Sequence, residues 1–213
     1  MLGHSHMLFS AAAAIALNSL VDATTHFSLS GAPLALNNAG ALNPLAPHPL
    51  STTDLLFKMV FYSGIIIGAL LPDIDHPQSS ISRLILLPRP IVKKYFKHRT
   101  LTHSLFGILL AVVFWGLVIS LAIFGLTKAG IELDPVNIRA TYTFYAAVMI
   151  GCVLHSIEDT MTVAGVPWLY PFYQKSQRIP LVSFRTGGKV EYIVVLVALA
   201  LVSFGLYAQV LIL

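Results

Sequence analysis

Long apolar stretches, separated by short polar, proline-rich or basic connections, dominate the chain. Four of them approach the ~20 residues that a membrane-spanning helix needs: 54–71, 103–127, 139–160 and 191–213. Two stretches, 104–127 and 192–213, contain no Asp, Glu, Lys, Arg or His. A fifth segment, 6–21, is shorter and carries Asn18; with its flanks it is read as a further span. The pattern predicts an all-α integral membrane protein, a bundle of about five transmembrane helices forming one domain over 1–213.

Composition agrees. The chain is 56% hydrophobic and only 10% charged, with mean hydropathy +0.80. A soluble domain is about 25% charged, so lipid must cover much of this surface. Charge also orients the bundle. Segment 22–53 has no Lys or Arg, whereas 72–102 carries Arg83, Arg89, Lys93, Lys94, Lys97 and Arg99. Segment 161–190 adds Lys175, Arg178, Arg185 and Lys189, so ten of the thirteen Lys and Arg sit in these two loops. The positive-inside rule places both loops in the cytoplasm. Alternation then puts the N-terminus inside and 22–53 outside. The run Ala11-Ala12-Ala13-Ala14 resembles a signal-peptide core, but no Lys or Arg precedes it, and cleavage is not expected. A single cysteine, Cys152, excludes an intrachain disulfide and a cysteine-based zinc ribbon.

The ionisable residues fall on one side of that topology. His4 and His6 begin the first helix, and Asp73, Asp75 and His76 end the second. His98 and His103 begin the third, and His155, Glu158 and Asp159 end the fourth. Metal sites in helical bundles are assembled this way, from side chains on facing helices. His155, Glu158 and Asp159 are spaced i, i+3 and i+4 and share a helical face. Pro72 biases Leu71 away from helix and puts Asp73 and Asp75 on a turn at the helix end; an extended Asp73-Ile74-Asp75 would send both carboxylates to one side. Carboxylates at a helix C-terminus are disfavoured by about 0.3–1 kcal/mol, and a divalent cation would reverse that penalty. Mixed imidazole and carboxylate ligands suit zinc first, and also manganese or iron. The basic run 89–99 reads as a topology signal with a second possible role in holding anionic headgroups or a substrate phosphate. Residues 185–189 read as a turn or as a backbone nest for an anion. These give Arg99, Arg185 and Lys189 as anion-binding candidates.

Several segments resemble one known family. They are Gly68-Ala69-Leu70-Leu71-Pro72-Asp73-Ile74-Asp75-His76-Pro77, His98-Arg99-Thr100-Leu101-Thr102-His103-Ser104, Leu154-His155-Ser156-Ile157-Glu158-Asp159-Thr160 and Ala164-Gly165-Val166-Pro167-Trp168. With the opening His6-Met7-Leu8-Phe9-Ser10, they are similar to the signatures of the YdjM-like family of bacterial inner-membrane, metal-dependent-hydrolase-like proteins. Some members of that family are linked to LexA and the SOS response. The resemblance runs from about residue 6 to residue 191. It implies His6, Asp73, Asp75, His103, His155 and Asp159 as metal ligands, with His98 close by, and an inner-membrane location. Glu158 and the long 22–53 loop depart from the family pattern.

The expected function is metal-dependent hydrolysis at the inner membrane surface, with one or two ions and a phosphoester or phospholipid-type substrate. Glu158, His76 or His98 would be the general base. Membrane lipids and anionic headgroups are the expected partners, and direct nucleic-acid binding is not expected. The alternatives are a membrane adaptor with a structural metal, or a metal-handling or transport protein. Transporter sites lie near the bilayer midplane, whereas these acids lie at helix ends.

Overall fold

The structure, a computed structural model, describes residues 3–29, 52–76, 79, 81–82, 100–179 and 183–212. Five long helices appear among them: α1 (Gly3–Leu29), α2 (Thr52–Gly68), α3 (Leu105–Lys128), α4 (Pro135–Thr160) and α5 (Lys189–Ile212). Two 3₁₀ turns, Leu71–Asp75 and Leu101–His103, precede α3. No strand forms among the described residues; pairing there is limited to isolated bridges, Thr162 with Phe184 and Val166 with Gln177. Among the described residues, three segments are long and apolar enough to cross a membrane: Leu55–Asp75, Leu105–Lys128 and Pro135–Thr160. The first helix is longer than the apolar run suggested and continues to Leu29. Much of the basic 72–102 loop, including His98 and Arg99, lies outside the described residues, as does 30–51.

The bundle is organised by a close crossing of α2 and α4. Gly64 and Gly68 on α2 face Ala147 and Gly151 on α4. A Cβ on Gly68 would meet the Val148 carbonyl oxygen at 2.1 Å, and one on Gly151 would meet that of Ile65 at 2.4 Å. Within lipid, helices gain little from the hydrophobic effect against each other, so backbone approach through small residues supplies the packing. This is the small-xxx-small pattern on both partners. The alanine-rich start of α1 joins the crossing, where Ala14 packs with Ile65 and Ala147. α1 also lies along α5, near a second cluster of Phe184 and Val195 that Phe9 packs against.

α3 stands apart from this core. Leu109, Val113, Phe114, Leu117, Leu121 and Phe124 are all exposed, as a lipid-facing helix requires. Its start is fixed by Ser104, whose hydroxyl accepts from the Gly107 N–H at 3.0 Å as an N-cap. The chain after α4 adds a second tether, the Leu105 N–H donating to the Trp168 carbonyl at 2.9 Å.

Candidate metal centre

The α2–α4 crossing brings the ends of both helices to one place. His155 lies one turn beyond Gly151, on the face turned to α2. Its Nδ1–H donates to the Ala69 carbonyl at 2.7 Å. Ala69 lies just past the end of α2, where carbonyls lack an intrahelical partner. Since a carbonyl can only accept, Nδ1 carries the proton, and Nε2 of the neutral ring is a bare lone pair.

His103 is fixed by a different route to the same result. The Thr102 hydroxyl donates its one proton to Asp75 Oδ2 at 2.6 Å. It is therefore an acceptor towards His103 Nδ1, 2.9 Å away. His6 is the third case. Its Nδ1–H donates to Glu158 Oε2 at 2.5 Å, and Glu158 Oε1 accepts from the Ser10 hydroxyl at 2.7 Å. His6 Nε2 is buried without a hydrogen-bond partner. All three imidazoles thus have Nδ1 tied to an acceptor and Nε2 turned inward.

The inward atoms converge. His103 Nε2 and His155 Nε2 are 3.1 Å apart. Asp73 Oδ1 is 3.7 Å from the first and 3.6 Å from the second. Asp159 Oδ2 is 3.7 and 3.9 Å from the same two nitrogens. Asp159 Oδ1 faces His6 Nε2 at 3.5 Å, and the His6 ring stacks on His155 with centroids 3.8 Å apart. A tetrahedral site with bonds of about 2.0–2.2 Å has ligand-to-ligand edges of about 3.3–3.6 Å. The observed edges bracket that range. Two donor groupings emerge, Asp73 with His103 and His155, and His6 with His155 and Asp159.

Burial sharpens the fit. His6, His103, His155 and Glu158 are fully buried, and Asp75 and Asp159 nearly so. Bare imidazole lone pairs and carboxylates buried together repel one another, and a divalent cation would satisfy both. Imidazoles oriented through the second ring nitrogen by a carboxylate or carbonyl are the usual outer layer of such sites. Asp73 is the open point, with a side chain 17% exposed.

Residues 71–75 form the expected turn at the end of α2, a 3₁₀ turn with Pro72 in its first positions, but the carboxylates do not point the same way. At three residues per turn, Asp73 and Asp75 diverge. Asp73 faces Nε2 of His103, whereas Asp75 stands behind the ring, 3.6 Å from Nδ1. Glu158, expected as a base, has both oxygens engaged by His6 and Ser10. His76 is half-buried, and its carbonyl accepts from the Ser82 hydroxyl at 2.8 Å. In the 185–189 turn, the Gly187 N–H donates to Glu191 Oε2 at 2.8 Å, so the chain's own carboxylate takes that donor. Arg185 and Lys189 are exposed. Ser10, Thr102 and the Ala69 carbonyl were not singled out as site groups from the sequence. The i, i+4 spacing of His6 and Ser10 was the available signal for one of them.

Comparison with known proteins gives a consistent picture. The profile of the family described as YdjM inner membrane protein matches residues 1–212. A Bacillus subtilis protein, YvsG, described as uncharacterized, is 32% identical over 137 residues, covering 64% of this chain and 71% of the relative. The inner membrane protein YdjM of Escherichia coli is 32% identical over 127 residues, covering 59% of this chain and 56% of that protein. The Shigella flexneri YdjM matches to the same extent. No solved structure matches.

Proposed function

Because the chain belongs to the YdjM inner membrane protein family, we propose that it is a membrane-bound, metal-dependent hydrolase of phosphoester or phospholipid-type substrates, working at the cytoplasmic face of the bilayer with all five helices spanning it. One observation supports this reading: three imidazoles with Nδ1 tied back turn Nε2 into two adjoining donor groups, Asp73 with His103 and His155 and His6 with His155 and Asp159, which share His155.

Asp73, His103, His155 and Asp159 hold the first ion. His6 and the second oxygen of Asp159 extend the donor set, enough for one ion or two. When bound, a divalent metal, zinc first, polarises a phosphoryl or acyl oxygen and acidifies water. The chain's own groups do the rest. Glu158, Asp75 and the Ala69 carbonyl fix each ring by its Nδ1 proton, and Thr102 relays Asp75 to His103. Close helix packing excludes water on every side but that of Asp73. With Glu158 committed to His6, the general-base role passes to His76, which ends the 3₁₀ turn three residues after Asp73. Basic residues in the flanking loops attract a phosphate-bearing headgroup.

The nearly complete burial of the ligands favours one second reading, a structural metal in a membrane adaptor, since structural sites are closed and catalytic sites keep an open position. Metal-loaded protein in phosphatidylethanolamine–phosphatidylglycerol vesicles separates the two. The hydrolase reading expects chelator-sensitive release of headgroup or phosphate, lost in Asp73→Asn. Full metal occupancy with no turnover of any phosphoester would leave the adaptor reading.

A further inference from the structure

A cleft of about 520 Å³ runs between α3 and α4, and one end is lined by Pro72 and Thr102, the chain neighbours of Asp73 and His103. Its α3 wall is Gly107, Ala111, Trp115 and Ile119, at four-residue spacing on one helical face. Its α4 wall includes Tyr145, Val148 and Cys152, and its mouth is formed by Pro72 and Thr102. The cleft is built rather than accidental. The Tyr145 hydroxyl crosses it to donate to the Val112 carbonyl. Ser120 and Tyr142 hydroxyls link the same helices at 3.1 Å. Gly107 packs closely against the Leu101 carbonyl, and the small side chain of Ala111 leaves room beside the Tyr145 tie.

Three facts identify the occupant. Both walls are membrane-spanning segments by length and composition, so the medium entering from the side is lipid hydrocarbon. From Gly107 to Ile119 the cleft follows α3 for about 18 Å at ~1.5 Å per residue, close to one leaflet of a core about 30 Å thick. Pro72 and Thr102 directly precede Asp73 and His103 along the chain, and Asp73 is the least buried of the candidate ligands. A chain lying in the cleft therefore sets its polar end at the one open side of the centre. We propose that the α3–α4 cleft holds one acyl chain of a glycerophospholipid from the site-side leaflet, presenting that lipid's headgroup linkage to the metal centre. This rests on the hydrolase reading for its purpose, though not for the binding itself.

Photolabelling tests it. Full-length protein in phosphatidylethanolamine–phosphatidylglycerol vesicles would carry a trace of phosphatidylethanolamine with a diazirine near the methyl end of one acyl chain. The expected result is labelling concentrated at Trp115, Ile119 and Thr141, several-fold above the lipid-facing Val113 and Leu117. Ala111→Trp should remove the cleft label and leave the outer-face label. Ile119→Trp, a milder change at the deep end, should lose the methyl-end label yet keep that of a probe with its diazirine near the carbonyl. Cleft labelling equal to or below the outer face, or unaffected by both substitutions, would overturn the proposal, whether another protein segment or nothing fills the space. Metal content is measured on the same samples. Metal without cleft label removes the acyl-chain site alone, and cleft label without metal removes the hydrolase reading alone.

Discussion

His103 and His155 meet nitrogen to nitrogen, Nε2 to Nε2, at 3.1 Å. Each ring has its proton on the far side, His155 towards Ala69 and His103 towards Thr102. Two bare lone pairs at that distance in a buried pocket repel. A shared cation would make the contact favourable, and the surrounding carboxylates would supply the balancing charge.

The role of Glu158 is open to direct test. If it orients His6, Glu158→Gln should weaken metal binding by about 10–100-fold, with activity restored by excess metal. If it were the base, metal binding would be unchanged and turnover would fall by about 10²–10⁴-fold at saturating metal. Competitive titration with a chelator separates the outcomes. Thr102→Val should mimic the first pattern through His103, and Thr102→Ser should largely rescue it.

The crossing of α2 and α4 should tolerate no side chain. Gly68→Leu or Gly151→Leu must push two backbones apart, because their Cβ positions already meet carbonyls. Overpacking of this kind costs about 1–3 kcal/mol or more, and the metal ligands beyond the crossing should separate with it. Gly125→Ala is the control, since nothing lies within 4 Å of the added carbon. Thermal unfolding in detergent, read alongside metal content, should show both losses for the first two and neither for the third.

Helix placement was legible in the sequence because a lipid-facing helix must be apolar over its length, and no loop between 103 and 213 carries such a run. The site was legible for a related reason: an ionisable residue near a membrane helix end is costly, and those of four separate segments agreed on one end. The split between Asp73 and Asp75 was not legible. It depends on the turn at Pro72 being 3₁₀ rather than extended, and local sequence allows both. The engagement of Glu158 by His6 depends on where α1 docks, a long-range fact with no local signal. The Gly64–Gly68 and Ala147–Gly151 pairs were readable as close-packing sites and show that a spacing can matter more than the residues' hydropathy.

The basic loops predict a sidedness that can be tested. Ser176, after α4, lies on the side of the candidate metal centre, and Glu132 lies in the α3–α4 turn at the opposite end. In a Cys152→Ala background, Ser176→Cys should react with an impermeant thiol reagent only from the cytoplasm, and Glu132→Cys only from outside. Reaction of both from one side would contradict the crossing of α4.

Elemental analysis of the full-length protein, purified in mild detergent without chelator, tests the central claim most directly. One or two zinc, manganese or iron ions per chain are expected, with the content collapsing in Asp73→Ala and in His155→Ala while the Gly125→Ala protein keeps it. Less than one ion per chain in folded protein, with none taken up on loading, would contradict the account, because the facing nitrogens of His103 and His155 would then have to be held together by something other than a metal.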